Sequence, residues 1–303
     1  MITIIIPVYN EAKYIYNNVL KIKSITDDQM EDFSFCLIDD GSSDNSWFEI
    51  KRLSEKFKNI KGIQLSRNFG KESALSCGLE NVDADAVIIM DSDLQHPPQY
   101  IPQMINFWKN GYEVVEGIKA DRGKESFFYK LGAKLFNIMT GFTVSMKGAQ
   151  ASDFKLLDKS AVQAYRKFKE NNIFFRGMSS WIGFSHKEFL FNVDERAGGD
   201  TKWGKKDLVK LFINSVVSYT SAPLIAIFWL GMIMFIIATI FSIETLVMYF
   251  IGKSEAGFPT VILLMLLIGS VIIISLSIIG LYIAKIYDEV KSRPRYIIKD
   301  EYN

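Results

Sequence analysis

The sequence predicts an α/β domain, an open and mostly parallel sheet with flanking helices, followed by a two-helix transmembrane hairpin. Three observations carry this. Short apolar runs alternate with helix-length stretches over residues 1–200, acidic or polar clusters follow three of those runs, and the composition changes abruptly near Pro223.

The runs Ile2–Ile6, Phe33–Ile38, Ile60–Leu65 and Ala86–Met90 are short and almost wholly apolar, as strands covered on both faces should be. Between them Glu11–Ile25, Ser46–Phe57 and Lys71–Asn81 read as helices. This alternation implies right-handed crossovers within one sheet, whose ligands sit beyond the carboxyl ends of the strands. Met1–Pro7 has neither a basic leader nor a small-residue cleavage site, so it reads as the first strand rather than a signal peptide.

Beyond Pro223 come two apolar stretches, Pro223–Phe250 and Pro259–Ile286. Each has about 28 residues, roughly 42 Å as a helix, enough to cross a hydrocarbon core of about 30 Å. Residues 251–258, with Gly252 and Gly257, form the turn between them. Lys202, Lys205, Lys206 and Lys210 precede the first stretch, and Lys285, Lys291, Arg293, Arg295 and Lys299 follow the second. The excess of positive charge at both ends is expected to place the α/β domain, both termini and the tail 288–303 in the cytoplasm of a multi-pass plasma-membrane protein. Glu244 falls about 30 Å along its helix, near the outer interface, and reads as an interfacial carboxylate. Ser126–Phe142 and Lys205–Tyr219 are basic and amphipathic; residues 201–222 are expected to form a juxtamembrane helix in the headgroup layer.

Lys plus Arg number 35 and Asp plus Glu 34, so net charge +1 recruits no nucleic acid and any electrostatic work must be local. Cys36 and Cys77 lack metal-ligand spacing and read as small buried hydrophobes in a reducing compartment. The presence of only two histidines disfavours a His-based metal site.

The chemistry concentrates at strand ends. Strand one runs into Pro7-Val8-Tyr9-Asn10-Glu11, strand two into Asp39-Asp40-Gly41-Ser42-Ser43-Asp44, and strand four into Asp91-Ser92-Asp93-Leu94-Gln95-His96. Asp91 and Asp93 repel each other unless a cation lies beside them, and hard oxygen donors suit Mg²⁺ or Mn²⁺. Gln95 continues the alternate spacing and adds a carbonyl oxygen. Asp39 and Asp40 can accept hydrogen bonds from a nucleobase and a ribose, Tyr9 can support the base, and Asp44 reads as a helix cap.

Taken with Leu65–Glu72 (LSRNFGKE), these clusters resemble family-2 glycosyltransferases of GT-A fold, in the polyprenyl-phosphate branch that includes dolichol-phosphate mannose synthases and bactoprenol glucosyltransferases. Ser152–Asp158, Phe175–Gly177, Trp181–Phe184 and Arg196–Trp203 extend the resemblance over nearly the whole chain. It implies that Pro7, Tyr9, Glu11, Asp39 and Asp40 bind the nucleoside, and that Asp91, Asp93 and Gln95 hold metal and diphosphate. It further implies that Asp153 faces the acceptor and that Arg122, Arg176, Arg196 and Lys202 contact phosphate. Asp153, Asp93 and Arg176 form the implied catalytic set. The chain departs from the family at Lys155, where Arg is common, and at Thr201 and Trp203, where Ser and Tyr are.

The implied reaction is inverting transfer of one sugar from a nucleotide-sugar to polyprenyl phosphate at the cytoplasmic membrane face, for cell-envelope glycosylation. UDP-glucose is the first expectation and UDP-N-acetylglucosamine the second. The implied partners are the donor, the lipid acceptor, the bilayer, a homotetramer, a flippase and a downstream glycosyltransferase. The acceptor phosphate is mostly a dianion at neutral pH, so Asp153 is expected to position it more than to deprotonate it. Two other functions remain open. A processive polysaccharide synthase would carry Q-x-x-R-W, but Gln163–Lys167 lacks the Trp. A tethered sugar-nucleotide binding module would bind donor without turnover.

Overall fold

The computed structural model describes residues 1–120, 151–168, 170, 175, 181–192, 222–252 and 257–302. Among the described residues eight strands form one sheet: β1 (Ile2–Val8), β2 (Phe33–Asp39), β3 (Ile60–Leu65), β4 (Ala86–Ile89), β5 (Val114–Lys119), β6 (Ala151–Asp158), β7 (His186–Phe191) and β8 (Ile298–Tyr302). Their order is β7-β5-β6-β4-β1-β2-β3-β8. Neighbours run parallel except at the β4–β6, β5–β6 and β3–β8 pairs, so only β6 and β8 oppose the rest.

The four strands read from sequence sit at the sheet's centre because their side chains are apolar on both faces. Ile2, Ile4, Ile6 and Val8 face one core, with α1 (Ile15–Thr26), α2 (Ser46–Lys56) and α4 (Ile101–Lys109). Ile5, Val87 and Ile89 face the other, with α3 (Lys71–Glu80) and α5 (Lys159–Arg166). On β4, Ala86, Ile88 and Met90 lie in the first core and Val87 and Ile89 in the second. Continuing that alternation turns Asp91 toward the α3 side. Cys36 and Cys77 are buried there without a disulfide, and burial pushes both thiols up to about 12, so neither is nucleophilic.

The segment after the apolar helices is more than a tail. Ile298–Tyr302 is the antiparallel edge strand beside β3, held by Lys51–Asp300 (2.9 Å) and Lys61–Glu301 (3.0 Å). Just before it, the Tyr296 hydroxyl donates to Glu80 (2.6 Å) and Arg295 pairs with the same carboxylate (3.3 Å), tying the segment to the end of α3. The helices α6 (Ala222–Phe250) and α7 (Phe258–Val290) form a second compact unit. Each contains a stretch long and apolar enough to cross a membrane, Pro223–Phe241 and Ile268–Val290, with none of either buried. The amphipathic stretches 126–142 and 205–219 lie outside the described residues.

Two local devices lock the sheet to its connections. Gly41 has φ +63°, and a Cβ there would lie 2.3 Å from the backbone carbon of Arg67. The β2–α2 loop can therefore press against the β3–α3 loop only at a glycine. Gly41→Ala is expected to cost more than about 2 kcal/mol, from positive-φ strain plus displacement of the Arg67 backbone. Thermal unfolding in detergent measures it, and a melting temperature within a degree of wild type would refute the close-packing account.

The second device is Asp158, which caps α5 by accepting from the Ser160 amide (2.8 Å) and also accepts from the Trp108 indole (2.8 Å). Burial acts to raise its carboxyl, but the Trp108 and Ser160 bonds outweigh that and hold it below the usual range. Its contribution is thus complete above the ordinary carboxylate pKa and disappears as pH falls through the depressed folded value. Asp158→Ala is expected to cost about 1–2 kcal/mol at neutral pH. The gap from wild type should close on acidification; a gap constant throughout the acid range would contradict the assignment.

Candidate active site

The carboxyl ends of β1, β2, β3 and β4 meet along one edge of the sheet. After β1, Tyr9 is 48% exposed and Asn10 turns with φ +57°. Asn10 is fixed from both sides: its amide donates to Ser42 Oγ (2.9 Å), and its Oδ1 accepts from the Ser43 amide (2.9 Å). The Glu11 amide donates to Ser46 Oγ (2.8 Å) and the Ala12 amide to Asp44 (3.1 Å). Asp44 also accepts from the Ser46 amide (2.9 Å), but the N-cap of α2 is Asn45, which makes no side-chain cap bond, so Asp44 orders the turn one residue ahead of the cap instead of being the cap itself. Burial opposes the charge of Asp44, but these bonds prevail and its pKa is lowered.

Asp39 and Asp40 are both buried and bonded within the protein. Asp39 accepts from the Ser42 amide (3.2 Å) and the Gln64 side-chain amide (3.0 Å). Asp40 accepts from the Phe69 amide (2.8 Å) and the Gly70 amide (2.9 Å). Burial dominates and leaves the Asp40 pKa raised despite those two amides. The pair thus tethers the β2 and β3 connections, and Asp40 fixes the N-terminus of α3.

That terminus carries the central feature of the site. Lys71, the first residue of α3, places its Nζ 2.5 Å from Asp91 Oδ1 and 2.6 Å from Asp153 Oδ2. The Asp153 side chain is 4% exposed, Asp91 27% and Lys71 39%. The geometry follows from the β4–β6 register. Ile89 pairs with Lys155, so two residues further along an antiparallel ladder Asp91 stands opposite Asp153. Like charges in that relation repel, and Lys71 relieves it. Burial works against the ammonium, yet Asp91 and Asp153 raise its pKa; burial likewise opposes the Asp91 carboxylate, but Lys71 and then His96 lower its pKa.

His96 pins the turn after β4. Its Nδ1 accepts from the Asp91 amide (3.0 Å) and its ring stacks on Phe154 at 5.1 Å. Burial lowers its pKa, so the ring is neutral with its proton on Nε2. Leu94 in the same turn has φ +61°. Among the described residues the non-glycine positive-φ positions are Asn10, Leu94 and Ser292, so two of the three flank this crevice, where stored strain commonly marks function.

Asp153 is aimed by a bulge. Between the Glu116–Lys155 and Ile118–Ala151 pairs, β5 supplies only Gly117 while β6 supplies Ser152, Asp153 and Phe154. Ser152 Oγ closes the bulge by donating to the Gly117 carbonyl (2.7 Å). A Cβ on Gly117 would lie 2.9 Å from the Phe191 ring, so the Phe191 and Phe154 rings pack over β5 in the space a glycine leaves.

Asp93 accepts the Gln95 amide (3.1 Å) in the turn following Asp91. Among the described residues no three His, Cys, Asp or Glu side chains group into a closed metal cage. An open pair of carboxylates fits Mg²⁺ or Mn²⁺, which are usually held by one or two carboxylates together with substrate phosphates. The Lys71 ammonium beside Asp91 shows that this position already accommodates a cation.

The structure therefore gathers Pro7, Tyr9, Glu11, Asp39, Asp40, Asp91, Asp93, Gln95 and Asp153 at the ends of β1, β2 and β4 and on β6. Arg122, Arg176, Arg196 and Lys202 lie outside the described residues. Lys71 was missed by the sequence reading, although a signal existed: a lysine opening a helix opposes the helix dipole and so calls for a local acidic partner.

Comparisons with known proteins identify the family. Residues 3–170 match the family described as Glycosyl transferase family 2. The uncharacterized glycosyltransferase YkcC of Bacillus subtilis is 34% identical over 304 residues, covering 99% of this chain and 94% of its own. A bactoprenol glucosyl transferase of Shigella phage SfII is 30% identical over 313 residues, covering 98% of this chain and 97% of its own. The fold matches a glucosyl-3-phosphoglycerate synthase from Mycobacterium tuberculosis, solved with Mn²⁺, UDP-glucose and phosphoglyceric acid, at TM-score 0.53. That match covers 73% of this chain and 79% of the other at 15% identity, and it bears on the GT-A-type fold. With a family model spanning more than half its length and relatives aligned almost end to end, this chain is a glycosyltransferase and belongs to glycosyl transferase family 2.

Proposed function

We propose that the protein transfers a single sugar, glucose first and N-acetylglucosamine second, from its UDP derivative to a polyprenyl phosphate, with inversion at the anomeric carbon. The observation that carries this reading is the extent of the likeness to the Shigella phage bactoprenol glucosyl transferase. It covers 98% of the chain and so runs past residue 170, where the family model ends, through both apolar helices. A lipid-borne acceptor accounts for those helices.

The reading places the catalytic unit, Lys202 and the β8 segment on the cytoplasmic face. Supporting it, described residues before the apolar helices and those from Arg293 onward belong to one sheet-centred unit. A chain that leaves and re-enters the same unit crosses a bilayer an even number of times.

Within the site, Tyr9 and Glu11 would border the nucleoside, with Asp39 and Asp40 fixing the loops around it. Asp91, Asp93 and Gln95 would hold a divalent cation, Mg²⁺ or Mn²⁺, which when bound supplies positive charge to the leaving diphosphate. Arg122, Arg176, Arg196 and Lys202 would contact donor and acceptor phosphates. Asp153 would orient the acceptor. Its Oδ2 is taken by Lys71, and a phosphate monoester with a second pKa of about 6 is already mostly dianionic at neutral pH.

The deciding experiment incubates the detergent-solubilised chain with radiolabelled UDP-glucose or UDP-N-acetylglucosamine, undecaprenyl phosphate and Mn²⁺, then extracts into butanol. One sugar per lipid is expected; lipid bearing a sugar chain, or no labelled lipid with any activated hexose, overturns the proposal.

A variant pair tests the division of labour. Asp91→Asn is expected to lower kcat by about a thousandfold and Asp153→Asn by roughly ten- to a hundredfold. An equally severe Asp153→Asn defect at every pH above 7 would restore Asp153 as an obligatory base.

A further inference from the structure

We propose that Lys71 is a resident counter-cation of the Asp91–Asp153 pair, a positioning residue that competes with the divalent cation for Asp91 and so makes cation binding depend on the donor diphosphate. The inference rests on the donor and cation reading above and adds the residue that couples them.

Three features converge on it. First, the β4–β6 register sets Asp91 and Asp153 face to face, and Lys71 is within 2.6 Å of both. Second, the ammonium is held from the protein side. Gly70, with φ +97°, opens α3, and the Gly70 and Phe69 amides are anchored on Asp40, so the base of the lysine is fixed by a loop that belongs to the donor side of the crevice. Third, the lysine lies at the mouth of the site with its side chain 39% exposed, whereas Asp153 is 4% exposed. An incoming anion can therefore reach Lys71 without first disrupting the core.

The consequence is an exchange of charge partners. With no donor bound, Asp91 is already neutralised by Lys71, and a divalent ion gains little from the half-satisfied Asp91–Asp93 pair while being repelled by the ammonium. A donor diphosphate offers Lys71 an alternative partner and offers the cation additional oxygen ligands. Each ligand then strengthens the binding of the other, a reciprocal coupling.

The test uses the full chain in detergent and the Mn²⁺ electron paramagnetic resonance signal, with and without UDP. Wild type should bind Mn²⁺ weakly alone and much more tightly with UDP. Lys71→Gln removes the charge and keeps an N–H donor. It should bind Mn²⁺ about tenfold more tightly than wild type in the absence of UDP and show a correspondingly smaller gain on adding UDP. Lys71→Arg should restore weak UDP-free binding. Should Lys71→Gln fail to fold, the double variant Lys71→Gln/Asp153→Asn replaces it, compared with Asp153→Asn alone, and the same tightening is expected. Unchanged or weaker UDP-free Mn²⁺ affinity in folded Lys71→Gln, or in the double variant against its single parent, overturns the role of Lys71 while leaving the donor reading intact. Failure of wild type to bind Mn²⁺ even with UDP overturns both.

Discussion

Two carboxylates facing each other across an antiparallel strand pair need a cation between them, and that requirement organises this site. The sheet creates the problem by its own register: pairing of Ile89 with Lys155 brings Asp91 and Asp153 into opposition just where β4 ends. The alternation along β4 turns Asp91 toward α3, the same side on which Leu157 of β6 is buried. The first residue of α3 then delivers the positive charge. Strand register, helix start and charge neutralisation are therefore one arrangement seen at three levels, and a change in any of them moves the others.

The remaining contacts serve to keep that arrangement stiff. Asp40 takes two successive backbone amides, those of Phe69 and Gly70, which sets the direction in which α3 begins. Ser42, Ser43, Asp44 and Ser46 bind the backbone or side chain of residues 10–12, so the β1 and β2 ends move together. His96, neutral and stacked on Phe154, clamps the Asp91 amide. Positive φ at Asn10 and Leu94 costs of order 1 kcal/mol each, and these bonds hold the backbone there nevertheless. A site meant to stabilise developing charge gains from such stiffness, because dipoles and ions already in place need no reorganisation as the charge moves.

The central parallel strands were legible because each is apolar on both faces: Ile60–Leu65 has the predicted limits, and Ala86–Met90 ends one residue early. The predicted α1 began at Glu11, but Tyr14 and Glu11 spend the first turn on loop bonds and the helix starts at Ile15. β8 was illegible for a physical reason. Ile-Lys-Asp-Glu-Tyr has no apolar alternation, since it is an edge strand whose charges pair with Lys51 and Lys61 instead of filling a core. The acids of the site were readable as strand-end clusters. Their mutual geometry was not, because it depends on a register between β4 and β6 that are more than sixty positions apart in sequence, and on a bulge visible only as an unremarkable Ser152 and Gly117.

That register is itself guarded by charge. Lys155 is fully buried, 3.2 Å from Glu116 Oε1, while His186 lies 3.2 Å from Glu116 Oε2, so one cluster joins β5, β6 and β7. The alignment is imperfect, since neither Glu116 Oε1 nor His186 Nε2 makes a geometrically good hydrogen bond, and a buried ion pair of this kind contributes little net stability. Its effect is on specificity. A one-residue slip of β6 would turn Lys155 into the opposite core, in place of Phe154 and Leu156, and leave Glu116 without its cation. Breaking such a pair costs about 3–5 kcal/mol, far more than keeping it gains. The same slip would carry Asp153 away from Lys71. The buried cluster thus penalises the misregistered sheet that would dismantle the site, and the lysine two residues from Asp153 contributes to the site by fixing where Asp153 stands.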